Sequence, residues 1–241
     1  MCGRFTRSSP LPAIAAEFGV RLDRFAAATP RFNVCPGEEV LVVARGADSS
    51  PDAAADGSGS EEAVAGFMRW GLVPWFASDP GSGPRPINAR AETIASRPAF
   101  REAFARRRCL VVADGFYEWR RHDGVREPWF IRLRSRRPVA FAGIWERWTP
   151  ARGEPLLSCA IVTCAANALV APIHDRMPVI VPRAAHAAWL ARATVPQELV
   201  ALLRPCPEDV MEAYRVSRYV NATRNEGPEC IRPATDDPAG P

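Results

Sequence analysis

Apolar segments of strand length recur along this 241-residue chain, and they constrain the fold more than any other feature of the sequence. The segments are rich in β-branched and aromatic residues, and connectors of hairpin length join most of them. The predicted strands are VLVVA (40–44), GFMRWGLVP (66–74), CLVVADGFYEW (109–119), WFIRL (129–133), VAFAGIWERW (139–148) and LLSCAIVT (156–163). Within 109–119, we expect a buried strand that runs into an aromatic turn.

Helices are predicted where apolar residues follow helical spacing, at 13–19, 93–108, 184–192 and 196–204. They do not alternate with the strands as βαβ units require. This order favours an α+β fold, a single domain in which helices flank a strongly curved, barrel-like sheet of mixed or antiparallel strands.

The domain is expected to cover residues 2–235, and 236–241 form a short C-terminal tail. Residues 46–62, GADSSPDAAADGSGSEE, have the acidic, Ser- and Gly-rich composition of a flexible loop. The first residues, MCGRFTRSSP, contain no hydrophobic stretch of signal-peptide length, and no apolar run approaches the roughly 20 residues that span a bilayer. We therefore expect a cytoplasmic monomer without membrane contact, associated with the nucleoid if the source is bacterial.

All 31 basic residues counted as Lys or Arg are arginine. The absence of lysine excludes enzymes that use a side-chain Schiff base, a P-loop lysine or a lysine general base. The amine that remains for nucleophilic chemistry is the one at the chain's own N-terminus.

Seven cysteines and three histidines are scattered along the chain, and no two cysteines form a C-x-x-C pair. This spacing argues against a disulfide scaffold and against a structural zinc site. We predict neither a metal nor another cofactor.

Positive charge is concentrated in residues 97–137, which contain twelve arginines and five acidic residues, although the net charge of the chain is only +4. Arginine offers forked donors to phosphates, so this basic band favours a polyanion as partner. The alternative is a solvated surface in a protein that uses arginine for every basic position.

Cys2 directly follows the initiator methionine, which is normally removed when the second residue is small. The mature chain would then begin with a 1,2-aminothiol. A terminal amine, with a pKa of about 7.7–8.0 against about 10.4 for lysine, has a free-base fraction roughly 300-fold larger near neutral pH. An aldehyde would first form an imine with this amine and then a thiazolidine ring with the thiol. Alternatively, the thiol could attack an amide, as in N-terminal nucleophile hydrolases.

Three polar residues lie in apolar or aromatic surroundings: Asn88 in PINARAET, Glu118 in GFYEW and His174 in PIHDRMPVIV. Desolvation raises the pKa of a carboxyl beside aromatic rings, which would let Glu118 exchange protons near neutral pH, and His174 suits a second proton transfer. Structural alternatives remain open: a turn residue for Asn88, an arginine partner for Glu118 and a hydrogen-bonded core position for His174.

Seven segments, taken together, give the chain a specific resemblance to a known family. They are MCGRF at the N-terminus, RFNVCPG (31–37), RWGLVPW (69–75), INARAET (87–93), DGFYEW (114–119), IHDRMPVIV (173–181) and VNATRNEGPECI (220–231). In this order, and over nearly the whole chain, they resemble the SOS-response-associated peptidase (SRAP) family of abasic-site-processing proteins, which protect single-stranded DNA.

The resemblance implies a covalent reaction with DNA. Met1 would be removed, and Cys2 would attack the ring-opened aldehyde of an abasic deoxyribose in single-stranded DNA, leaving a thiazolidine crosslink. Asn88 would orient the amine and the sugar, Glu118 would shuttle protons, and His174 would assist opening of the sugar ring and release of the crosslink. Lyase activity at the same lesion would proceed through the imine.

DNA-binding positions follow from the same resemblance and from the aromatic residues. Arg4, Arg90, Arg97 and Arg176 match family positions that grip phosphates. Pro36, Trp75 and Phe76 are expected to form a wedge against the bases beside the lesion, where stacking is worth about 1–3 kcal/mol per base. We also expect Trp119 to bind DNA.

Two alternative functions remain open at this point. The first is a thiol peptidase that acts on proteins, and the second is a non-covalent reader of single-stranded DNA that relies on the arginine band. The expected partner is single-stranded DNA that contains abasic sites, with replication-fork proteins as further candidates.

Overall fold

The computed structural model describes residues 2–22, 25, 28–45, 62–81, 83–150 and 153–234. All but one residue of the predicted loop at 46–62, and the predicted tail at 236–241, lie outside this part of the chain. The strands are β1 (Phe5–Arg7), β2 (Arg31–Val34), β3 (Glu39–Arg45), β4 (Ala63–Trp70), β5 (Asn88–Arg90), β6 (Arg108–Ala113), β7 (Gly115–His122), β8 (Val125–Leu133), β9 (Val139–Trp148), β10 (Leu156–Ala165), β11 (Arg176–Pro178), β12 (Ile180–Val181) and β13 (Met211–Arg215). The helices are α1 (Leu11–Phe18), α2 (Arg101–Arg106), α3 (His186–Leu190) and α4 (Pro196–Leu202).

Strands β3, β4, β6, β9 and β10 close into a barrel. Strand β4 pairs with β3, β3 with β6, β6 with β9, β9 with β10, and β10 pairs again with β4. The β10–β4 pairing is parallel and the other four are antiparallel. Strands β5 and β11 extend this sheet from β10, and β12 extends it from β9. The expected α+β fold with a strongly curved, mixed, barrel-like sheet is therefore confirmed.

A second sheet has the order β13-β8-β7-β1-β2 and is antiparallel throughout. The chain passes from the barrel into this sheet at Asp114, between β6 and β7. The Asp114 carboxylate accepts hydrogen bonds from the backbone N–H groups of Ser8 and Ser9, the latter at 2.9 Å. Asp114 therefore ties the segment after β1 to the junction of the two sheets.

The prediction of an aromatic turn at the end of segment 109–119 is wrong, because its aromatic residues lie in strand β7, while the buried strand before them is β6. Phe116, Tyr117 and Glu118 are all buried, so both faces of the strand are covered. Gly115 permits the close approach of β8, since a Cβ atom there would lie 2.6 Å from the Ile131 carbonyl oxygen.

Three of the four predicted helices are found close to their expected positions, as α1, α3 and α4. The helix expected over 93–108 is confined to α2 (Arg101–Arg106), and the residues before it form hydrogen-bonded turns. Pro98 accounts for the difference, because proline lacks an N–H donor and disfavours helical geometry in the residue before it. None of the helices in the described residues has the length and apolar character needed to cross a bilayer.

Arg108, one of the twelve arginines of the basic band, is buried at the start of β6. Its guanidinium donates to the carbonyl oxygens of Phe104 and Ala105 at the end of α2 and of Trp189 and Ala191 at the end of α3, at 2.6–2.7 Å. This side chain holds two helix ends against the barrel and is not available to a polyanion.

Replacing Arg108 with Ala is expected to lower the free energy of unfolding by about 2 kcal/mol or more, because several buried carbonyl oxygens lose a charged donor. The exposed Arg106, in α2, provides the matched control, and Arg106→Ala should change stability by less than about 0.5 kcal/mol. Urea denaturation followed by circular dichroism measures both, and equal stabilities of the two variants would contradict this role for Arg108.

Candidate active site

Cys2 is fully buried and lies three residues before the first residue of β1. Strand β1 lies between β7 and β2, so Phe5–Arg7 occupies an interior position of a sheet. The carbonyl oxygen of Arg4 also accepts a hydrogen bond from the Tyr117 backbone N–H at 2.9 Å. Chain termini usually fray, but here the backbone next to Cys2 is held on both sides.

Asn88 contacts Cys2 directly. It begins β5, which pairs in parallel with β10 through Asn88 and Ile161. The Asn88 side-chain Nδ2 donates to the Cys2 carbonyl oxygen at 2.9 Å. Among the described residues its Oδ1 is buried without a hydrogen-bond partner, which leaves an acceptor for an N–H or O–H group.

Glu118 lies on β7, opposite Trp129 of β8, and its side chain is buried. Burial raises the pKa of its carboxyl above the ordinary value, and the positive charge of a protonated His174 partly offsets that increase. Burial also raises the pKa of the Cys2 thiol, and the Glu118 carboxylate raises it further. The thiol is therefore less acidic than that of an exposed cysteine, and Glu118 is close enough to interact with it electrostatically.

His174 lies between β10 and β11 and completes this group of four residues. Its ring Nδ1 accepts a hydrogen bond from the Arg176 backbone N–H at 2.9 Å and lies 3.0 Å from Asp175 Oδ1. The backbone donor requires Nδ1 as an acceptor, which puts the proton of the neutral ring on Nε2. The Asp175 carboxylate, which is largely exposed, lies beside the same ring nitrogen. The His174 ring is therefore held in orientation by its two following residues.

Arg4 and Trp119, two of the predicted DNA-binding residues, pack against each other. The Arg4 guanidinium carbon lies 5.4 Å from the centre of the Trp119 ring. One terminal nitrogen of Arg4 also donates to Asn33 Oδ1 at 2.7 Å and to the Val220 carbonyl oxygen at 2.9 Å. Arg4 is thus fixed in orientation by β2 and by the C-terminal region.

The other three predicted phosphate-binding arginines lie on or near the strands that carry the site. Arg90, at the end of β5, and Arg97, in the turns that follow, are exposed. Arg176, at the start of β11, is only 13% exposed and pairs with Glu92. The three side chains therefore differ in their surroundings. Those of Arg90 and Arg97 are in solvent, and that of Arg176 is in an ion pair.

Pro36, Trp75 and Phe76 are all exposed, and the two aromatic side chains are 58% and 56% exposed. The Trp75 and Phe76 rings pack edge to face, with their centres 5.7 Å apart. The Trp148 side-chain N–H donates to the Ala77 carbonyl oxygen at 2.7 Å and holds the segment after them. Large aromatic rings displayed in this way can stack on nucleobases.

The arginine-rich segment at 97–137 does not form one continuous basic surface. Besides the buried Arg108, several of its arginines are paired with carboxylates. These pairs are Arg107 with Glu146, Arg120 with Glu127 and Arg132 with Glu212. Charge counting along the sequence therefore overstates the positive surface that this segment offers to DNA.

Asn33 has a positioning role that the sequence analysis did not assign. Its Oδ1 accepts from Arg4, and its Nδ2 donates to the carbonyl oxygens of Ala222 and Asn225 at 3.1 and 2.7 Å. Asn33 lies within the motif RFNVCPG, but the two carbonyl oxygens that accept from its Nδ2 belong to residues 189 and 192 positions away along the chain. Within the described residues, no three His, Cys, Asp or Glu side chains are grouped so as to hold a metal ion.

Proteins of known structure share the fold of this chain. A protein from Bacteroides thetaiotaomicron of known structure superposes with a TM-score of 0.83 at 24% identity, over 97% of this chain and all of the other. A phage-related protein from Bordetella bronchiseptica superposes with a TM-score of 0.69 at 27% identity, over 93% of this chain and 99% of the other.

Sequence similarity extends to proteins with assigned roles. The chain is 40% identical to the abasic site processing protein YoqW of Bacillus subtilis, over 96% of this chain and 99% of that protein. It is 37% identical to the abasic site processing protein HMCES of Gallus gallus, over 72% of this chain and 59% of that protein. Residues 1–223 match the family described as SOS response associated peptidase (SRAP), and the chain therefore belongs to this family.

Proposed function

We propose that this protein processes abasic sites in single-stranded DNA by forming a thiazolidine crosslink through Cys2. The observation that carries the proposal is the burial of Cys2 beside Asn88 and Glu118, at the start of a chain with no lysine. The similarity to relatives named as abasic site processing proteins supports DNA with an abasic site as the substrate.

The reaction begins with hydrolysis of the Met1–Cys2 peptide bond, which gives Cys2 a free α-amine beside its thiol. The amine adds to the aldehyde carbon of the ring-opened deoxyribose, and acid-assisted loss of water leaves a protonated imine. The Cys2 sulfur then bonds to the imine carbon while the thiol gives its proton to a base, and the nitrogen of the ring keeps the proton of the imine. The resulting thiazolidine ring is more durable than the imine, so the lesion stays covered.

Glu118 supports both proton transfers in this sequence. With its pKa raised by burial, the carboxyl is partly protonated closer to neutral pH than an exposed glutamate, so it can donate to the hydroxyl group that leaves as water. The resulting carboxylate can then accept the proton of the Cys2 thiol, whose own raised pKa makes a base necessary.

Asn88 orients the Cys2 amine toward the sugar, and His174 assists opening of the sugar ring. The buried Oδ1 of Asn88 is an acceptor for the Cys2 amine, while its Nδ2 fixes the Cys2 carbonyl oxygen. His174 exchanges a proton with the sugar hydroxyl and so assists ring opening, and it serves the reverse reaction during release. Removal of a C2′ proton from the imine, with loss of the 3′ phosphate, gives the lyase reaction that competes with ring closure.

The surface around this centre supports single-stranded DNA as the ligand. Arg90, Arg97 and Arg176 hold phosphates, and Pro36 with the exposed rings of Trp75 and Phe76 stacks against bases next to the lesion. Arg4 and Trp119 form a second, fixed contact region.

Peptide hydrolysis of other proteins is the weaker alternative. The named relatives that support a substrate are abasic site processing proteins, and their names give no support for the cleavage of other proteins. A non-covalent reader of DNA would have no use for a thiol and an amine at the buried end of the chain.

Replacing Cys2 with Ala is expected to abolish the crosslink, because the variant keeps an amine but has no sulfur to close the ring. The untagged protein is incubated with a single-stranded oligonucleotide that contains one abasic site, and a heat-stable band is sought on a denaturing gel. Cys159→Ala is the matched control, since Cys159 is also fully buried and lies in the barrel. Full crosslinking by the Cys2→Ala variant would show that another nucleophile reacts.

Replacing Glu118 with Gln is expected to slow crosslinking by about 100-fold or more, the usual effect of losing a general acid–base group. The same variant should be more stable than the wild-type protein at neutral pH. A carboxyl whose pKa is raised on folding stabilises the folded state below its unfolded pKa and loses that contribution as pH rises through the folded pKa.

Single-turnover gel kinetics and thermal unfolding at acidic and neutral pH measure the two effects of Glu118→Gln. The stabilities should converge at acidic pH, where Glu118 is protonated. Slow crosslinking together with lower stability at neutral pH would mean that Glu118 has only a structural role.

A further inference from the structure

Glu92 and Arg176 form a bidentate ion pair beside the candidate active site. Arg176 Nη1 lies 2.6 Å from Glu92 Oε1, and Nη2 lies 2.9 Å from Glu92 Oε2. Planar guanidinium groups offer the same pair of parallel donors to a carboxylate and to a phosphate. The Glu92 carboxylate therefore occupies the donors that a phosphodiester would use on Arg176.

Arg176 is fixed in place by contacts other than Glu92. Its Nη2 also donates to the Thr163 carbonyl oxygen at 2.6 Å, and its backbone N–H donates to the ring of His174. Its side chain is 13% exposed, whereas that of Glu92 is 52% exposed. If the pair opens, Glu92 can move into water at little cost in free energy, because half of its side chain is already exposed. Arg176 stays beside the site.

Glu92 also lies within the electrostatic reach of a second predicted phosphate-binding residue. Its pKa is lowered mainly by the hydrogen bond from Arg176, and the charge of Arg90 contributes to this decrease. One carboxylate thus partly neutralises two arginines that are predicted to bind phosphates.

We propose that Glu92 is an internal counterion that occupies the phosphate-binding donors of Arg176, is displaced by a DNA phosphate and thereby sets the affinity for DNA. This inference rests on the proposed function. Because the exchange replaces one bidentate anion with another, Arg176 contributes less to net binding than a solvent-exposed arginine. The site consequently holds undamaged single strands loosely, and lasting attachment depends on the covalent step at Cys2.

Replacing Glu92 with Gln is expected to tighten non-covalent binding by about two- to fivefold, the range for an exposed ion pair. The probe is a fluorescent single-stranded oligonucleotide with one tetrahydrofuran site, which lacks the aldehyde and cannot be crosslinked. Fluorescence anisotropy gives the dissociation constant at fixed, low salt.

Two controls separate this role from a general charge effect. Glu212→Gln removes the same charge from another arginine pair, Arg132–Glu212, whose partners are 18% and 28% exposed, and should leave affinity unchanged. Arg176→Ala should weaken binding, and adding Glu92→Gln to Arg176→Ala should tighten binding by less than Glu92→Gln does alone, because Glu92 acts mainly through Arg176 and only secondarily on Arg90.

The possible results are distinguishable. Equal affinities of the wild-type protein and Glu92→Gln, or equal tightening by Glu92→Gln and Glu212→Gln, would overturn the role of Glu92. If the wild-type protein still crosslinks abasic DNA in that case, the proposed function stands. A wild-type protein that neither binds the probe nor crosslinks abasic DNA would overturn both.

Discussion

The pairing of β1 with β7 and β2 is the constraint on which the site depends. This three-residue strand carries the beginning of the chain into the middle of a sheet, and Phe5 anchors it against Trp70 and Phe141, with ring centres 5.1 and 5.9 Å away. Because the strand is held in register, Cys2 lies at a defined position beside Asn88. The segments near a terminus are normally the least ordered part of a domain, and here Cys2 is buried in the core.

Burial shifts the pKa values of the groups in the candidate site and lowers the stability of the folded protein. The same exclusion of water raises the pKa of the Cys2 thiol and of the Glu118 carboxyl, so both groups tend to be protonated. A site used only for structure would pack apolar groups here. Perturbed carboxyl and thiol groups that lie together, next to a histidine that can take up a proton, are typical of functional sites.

Sequence patterns predicted those parts of the fold whose signal is local. Long apolar runs identified β3, β4, β6, β8, β9 and β10, whereas β1, β2, β5, β11, β12 and β13 contain only two to five residues and depend on distant partners. The aromatic residues at 116–119 were misinterpreted because a strand buried on both faces lacks alternation. Cys2, Asn88, Glu118 and His174 could be proposed from motifs, but the roles of Asn33 and Glu92 arise from contacts that only the folded chain forms.

Peptide mapping of the crosslinked product tests the central claim most directly. Since the chain has no lysine, trypsin cleaves it only after arginine, and if Met1 is removed as proposed, the first tryptic peptide is Cys2-Gly3-Arg4. After nuclease digestion, this peptide should lack Met1, carry the deoxyribose remnant and resist both thiol alkylation and borohydride reduction, as a closed thiazolidine does. A remnant on any other peptide, or a Cys2 thiol that still reacts with an alkylating reagent, would contradict the account.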